Sequence, residues 1–143
     1  MISEYQVKRL LEHEFGKRDF TPEDNYYLGL SDGDPTQGGI EPSGSIGYAR
    51  CKIDNTKDFS TVGAEVIEGE PLDNFSLANR VAFSFSVLAS EYANGVSHWF
   101  LSDSETGGNI LYYGELAKPR PMPEDSQVII NPGEMIITRR NAE

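Results

Sequence analysis

Three side chains in this sequence carry chemistry that enzymes commonly build on: the imidazoles of His13 and His98 and the thiol of Cys51, the only cysteine. A zinc site needs three or four ligands converging at short spacing. Neither histidine has a cysteine near it in sequence, and no H-E-x-x-H pair occurs. His98 sits between Ser97 and Trp99 in an alternating run, a context that favours a packed or hydrogen-bonded imidazole over a catalytic one. Cys51 lies between Arg50 and Lys52, cations of the kind that lower a thiol pKa. A nucleophile also needs a base brought to it by the fold, and a thiol packed within a strand is the favoured reading.

Asp32, Asp34 and Glu41, and then Asp103, Glu105 and Asn109, offer hard oxygen ligands of the type calcium takes. Their spacing is not that of an EF-hand loop, and Asp beside Gly is ordinary turn chemistry. No G-x-S-x-G elbow, P-loop or dinucleotide glycine fingerprint is present. The expectation is a non-enzymatic protein with no catalytic residue, metal or cofactor.

The elements that would position any site begin with a helix. Ser3 followed by Gln6 forms a capping box, Ile2 and Val7 are placed as a hydrophobic staple, and Gly16 supplies a stop. Val7, Leu10, Leu11 and Phe15 recur on one face, with Lys8, Arg9, Glu12 and His13 off it. That stripe must be buried against something. Beyond Gly16 the rhythm changes to short alternating or β-branched runs separated by Gly, Pro, Asn and Asp, which predicts strands at 26–31, 46–54, 61–68, 80–88, 96–103, 110–116, 127–131 and 134–139. Val81, Phe83, Phe85 and Val87 alternate with Ala82, Ser84 and Ser86, placing an apolar ridge on one sheet face. Pro132 and Gly133 suit the centre of a type II turn joining the last two runs as a hairpin. Residues 31–45 and the proline-broken 118–123 are connectors and natural contact arms. The predicted fold is mostly β, an antiparallel, jelly-roll-like β-sandwich with one N-terminal α-helix: a single domain of residues 1–143, with the helix in 1–16 and the sandwich in 17–143.

Composition bounds what such a fold would meet. With 38% hydrophobic and 24% charged residues the chain is globular rather than disordered, and at 143 residues one core can bury roughly two thirds of the unfolded surface. Lys and Arg number 12 against 23 Asp and Glu, a formal charge of -11, which repels nucleic acid and anionic membranes. One cysteine excludes an intrachain disulfide, and neither a signal peptide nor a membrane span is expected. Function then falls to surfaces. Tyr26, Tyr27, Trp99, Tyr112 and Tyr113 lie on strands where neighbours point opposite ways, so each adjacent pair should have one core and one outward member. The candidate partner contacts are Val7, Leu10, Leu11 and Phe15 on the helix and Tyr27, Trp99 and Tyr113 on strands.

Several blocks stand in a distinctive order: the helix 5–15; Asn25-Tyr-Tyr-Leu-Gly-Leu-Ser-Asp-Gly-Asp-Pro35; Glu41-Pro-Ser-Gly with Gly47-Tyr-Ala-Arg50; the run from His98-Trp-Phe-Leu to Tyr-Gly-Glu-Leu116; and Asn131-Pro-Gly-Glu-Met-Ile-Ile-Thr138. Together they resemble a family of small virion structural proteins of tailed bacteriophages, labelled tail fibre or head decoration proteins, over nearly the whole chain. The resemblance implies a helix packed on a β-sandwich, a place in the virion, and no catalytic residues. The chain departs from it at 58–79, which is more acidic than the small-residue segment of the family, and at the basic Thr138-Arg-Arg140. The expected function is capsid decoration, a cement protein stabilising the assembled head, as a homo-oligomer with a trimer as the form considered. Its partners are other virion proteins, either the major capsid protein or tail proteins. Alternatives are a tail or tail-fibre-associated adaptor, and a host-surface carbohydrate-binding module in which Trp99 or a tyrosine pair stacks on a sugar.

Overall fold

The computed structural model describes residues 1–17, 19, 21, 23–54, 59–67 and 70–139, with the backbone alone described for 59–67, 70–78 and 136–139. The protein is mostly β, with antiparallel sheets and one helix. Helix α1 spans Glu4–Glu14, and Ser3 caps it by accepting from the Gln6 N–H. The reciprocal half of the capping box is not made, because the Ser3 N–H donates to Leu111 instead. At the other end Gly16 adopts φ 71°, and the amides of Gly16 and Lys17 donate to His13 and Glu12, the two bonds of a Schellman cap.

Strands β1 (Asn25–Ser31), β2 (Cys51–Asp54), β6 (Tyr92–Ser102) and β7 (Ile110–Met122) form a four-stranded antiparallel sheet in the order β2-β1-β6-β7. Register pairs Leu28 with Leu101 and Leu30 with Trp99, and period two then puts all four on one face. That face packs on the short ladder of β5 (Phe83–Ser84) with β8 (Ile129–Ile130), and on Phe85, Leu88, Val128 and Met135 beside it. The two layers enclose the core in a sandwich-like arrangement, and each fully buried leucine in it contributes about 2 kcal/mol. Trp99 can lie flat against β7 because Gly114 faces it: a Cβ there would stand 2.9 Å from the indole. Residues Met1 to Ser3 extend the sheet along the outer edge of β7, with Ile2 bridged to Tyr112, Ser3 donating to Leu111, and Tyr113 and Met1 each donating to the other's carbonyl.

The third sheet is β3 (Phe59–Ile67), β4 (Glu70–Asn79) and β9 (Ile136–Arg139), in the order β3-β4-β9. Strand β4 was not expected from the sequence, since the polar run 70–79 lacks an alternating apolar signal. The hairpin expected at Pro132-Gly133 is corrected: the turn is there, with Gly133 at φ 80° and Glu134 N–H donating to Asn131, but β8 pairs with β5 and β9 with β4. The reason is Asn79, 2% exposed, whose side chain sits inside the turn. Its Oδ1 accepts from the Gly133 and Met135 amides, and its Nδ2 donates to the Asn131 and Val81 carbonyls. All four of its hydrogen-bonding places are used.

Other expectations are corrected as well. The strand over 46–54 begins only at Cys51, after a 3₁₀ turn at Gly44–Ile46. The ridge over 80–88 holds at Phe83 and Phe85 and fails at its ends, where Val81 and Val87 are exposed and Leu88 is buried instead. Phe85 donates to Val128 and Leu88 to Ser126, so three residues on one side match two on the other, and this bulge exchanges Val87 for Leu88 in the core. Residues 118–122 continue β7 rather than forming a connector, since proline is tolerated in an edge strand where its missing N–H is not needed. The acidic middle and the basic tail lie partly outside the described residues.

Candidate interaction surface

The apolar stripe of α1 was expected to be buried, and it is not. Leu11 is 49% and Phe15 72% exposed, Val7 is exposed and Leu10 half-buried, while the buried residue of the helix is Gln6. The Met1–Ser3 ladder and the Ser3 cap fix the helix at the β7 edge with Gln6 turned inward, and this orientation leaves the stripe facing out. Ile2, Val7 and Leu11 line an open groove of about 360 Å³, rimmed by Glu4, Lys8 and Glu12, with Lys8 and Glu12 paired across one turn at 3.8 Å. The staple pair Ile2 and Val7 therefore ends up as a wall of this groove.

The arm at 31–45 is tied down by polar bonds. Arg50, whose side chain is 8% exposed, forks onto both oxygens of Glu41 and donates to the carbonyls of Ser104 and Gly107. Its guanidinium lies 5.0 Å over the Phe100 ring, so one residue joins the 31–45 arm to the 103–109 turn and covers the outer face of the sheet. Tyr48 donates to Glu41 and accepts from the Leu30 amide. Burial first, and the Glu41 carboxylate next, push its phenol well above the ordinary range. Asp32 accepts from the Ile40 amide, the Tyr92 hydroxyl and Asn94, and the Ile40 bond leads in holding its carboxyl below the usual value. The sequence pointed to Arg50 as a neighbour of Cys51 and as the end of the block that starts at Glu41; the pairing of the two spans nine residues and had no local signal.

The reactive side chains do not converge. Cys51 donates to the Ser84 carbonyl at 3.2 Å, and burial pushes its thiol up to about 11. His98 contacts Ser97 through Nδ1 at 2.7 Å and lies 3.9 Å from Glu115, while His13 is on the exposed side of α1. Asp103 is spent on the Asn109 amide and side chain. Among the described residues no cluster of three or more His, Cys, Asp or Glu is placed to hold a metal ion, and no helix is long and apolar enough to cross a membrane.

Of the strand aromatics, Tyr26 and Tyr112 pack against the core, while Tyr27 and Tyr113 are half-buried on the alternate positions. Trp99 is 9% exposed and faces the core layer, so it offers no outward stacking platform. It borders a cavity of about 280 Å³ that opens where β7 departs from β6: a step of two residues from Val96 to His98 is matched by a step of five from Arg120 to Glu115.

The described surfaces of this protein leave apolar side chains of α1 open and hold its polar groups in loops. Its described residues present apolar and aromatic contacts, and its ionisable groups hold loops. The sequence profile of the podophage GP4 fiber I protein gp80 family matches residues 1–138, and the chain belongs to that family. It is thus a structural protein of a tailed-phage virion, and the family favours the fibre alternative over head decoration. Comparison with curated proteins finds no match.

Proposed function

We propose that this chain is a subunit of the podophage fibre assembly that works by adhesion and not by catalysis, with the outer face of α1 as its docking surface for another virion protein. The exposure of Leu11 and Phe15 on a helix pinned to the sheet edge is the observation that carries this reading. Burying the exposed part of either side chain at an interface contributes about 1–2 kcal/mol, enough for specific docking when many copies act together. Tyr27 and Tyr113 extend the contact set, and the subunits assemble as a homo-oligomer, for which a trimer is the form to test by sedimentation.

The test is Leu11→Asp in a phage carrying no other copy of the gene. The residue is at the surface, so the purified variant keeps its melting temperature within about 2 °C, while a charge placed in an apolar interface lowers its abundance in purified particles at least about tenfold. Normal incorporation, measured by quantitative mass spectrometry of purified particles, overturns the docking role of α1.

A further inference from the structure

We infer that the cavity beneath the β7 bulge is a socket for one apolar side chain of a partner protein chain, with a basic residue beside it. This rests on the adhesive reading above but uses a different surface from the α1 face.

The walls are Leu28, Trp99, Leu116, Ala117, Ile130 and Met135, and Glu115, Arg120 and Glu134 stand among them as the charged groups. At about 280 Å³ the space lies at the small end for ligand pockets, which run from about 300 to 1,000 Å³, and suits a single Leu, Met or Phe side chain. The bulge keeps the space open. Between Glu115 and Arg120, β7 carries three more residues than β6 needs, and bulges of this kind re-aim strands beside binding sites.

The polar groups favour a side chain over a sugar. A carbohydrate needs several donors and acceptors for its hydroxyls, and Arg120 and Glu134 spend part of theirs within the chain. Arg120 donates to the Ile129 carbonyl and lies 3.5 Å from Glu134, and Glu134 accepts from the Asn131 amide and side chain. An occupant therefore meets mainly Trp99, Leu116 and Ala117, the least buried of the apolar walls. Two carboxylates against one guanidinium leave the site one negative charge in excess, which selects a cation next to the inserted side chain.

Trp99 is the only tryptophan, so its indole N–H resonance in the ¹⁵N-labelled full chain reports occupancy directly. N-acetyl-leucyl-lysine amide is expected to shift that resonance saturably at millimolar concentration, and N-acetyl-leucyl-glutamate amide to bind about fivefold more weakly. Methyl glucoside is expected to leave the resonance unmoved. Ala117→Phe, which fills the space, should abolish the dipeptide shift. Glu115→Lys, at an exposed position that does not endanger folding, should reverse the order of the two dipeptides. Absence of a saturable shift with every probe overturns the socket, as does a shift from the glucoside with the dipeptides silent, or an unchanged order in Glu115→Lys. Each of these outcomes leaves α1 docking standing, because that is read from particle incorporation of a variant at Leu11, which does not line the cavity.

Discussion

Replacing Asn79 by alanine removes four hydrogen bonds at once, but their costs differ because the partners differ in what they keep. The Gly133 amide retains the Asn79 carbonyl, the Asn131 carbonyl retains the Glu134 amide, and Val81 is exposed so that water can replace the lost donor. Met135 has no such substitute: its residue is buried and its amide bonds to Asn79 Oδ1. One orphaned buried donor costs about 1–3 kcal/mol, and the three bonds with substitutes cost less than about 1 kcal/mol each, so the expected loss is about 3 kcal/mol. For a chain of this size that lowers Tm by about 9 °C. Asn79→Asp separates the donor and acceptor roles. It keeps the acceptor but turns a carboxylate oxygen toward two carbonyls in a buried site, so its folded-state pKa is raised. A raised carboxyl pKa means the variant is penalised at neutral pH and recovers as pH falls through that raised value. Denaturant unfolding at pH 7 and pH 5 measures both. An alanine variant within about 0.5 kcal/mol of the parent would refute the view that Asn79 organises the 131–135 turn.

Further outcomes can be checked independently. Arg50→Met leaves Glu41 without its guanidinium and two loop carbonyls without a donor, and should cost about 3 kcal/mol, with faster amide exchange at 103–109 as the local signature. The Cys51 thiol, pushed to about 11 from 9.0, should react with a disulfide reagent at neutral pH at least about tenfold more slowly than an unshifted thiol, the lower thiolate fraction outweighing its higher nucleophilicity; a rate equal to that of a free peptide cysteine would contradict its burial. The Asp32 carboxyl is held below its ordinary pKa, so its contribution is complete above that ordinary value of about 3.9. It is lost as pH falls through the lowered folded value. The stability gap between the parent and Asp32→Asn should accordingly be constant from pH 7 to 5 and shrink below about pH 4.

The sequence by itself determined what depends on near neighbours. The Ser3 cap, the Gly16 stop and the turn at Pro132-Gly133 are set within a few residues, and each is found where its local chemistry put it. Tertiary structure decided which partners those elements take. Ser3 gave its amide to Leu111 rather than to Gln6, and this pairing turned the apolar stripe of α1 outward. Asn79 filled the turn at 131–134 and sent β8 and β9 to different sheets, and a one-residue bulge carried Leu88 inward in place of Val87. The candidate surfaces divide the same way. Val7, Leu11 and Phe15 were legible as an apolar face, but their exposure was not, because periodicity states that a face is apolar and not whether the chain covers it. The cavity beside Trp99 was not legible at all, since it exists through a register shift between β6 and β7 whose residues lie about twenty apart, and hydrogen-bond register over that separation is a property of the folded sheet.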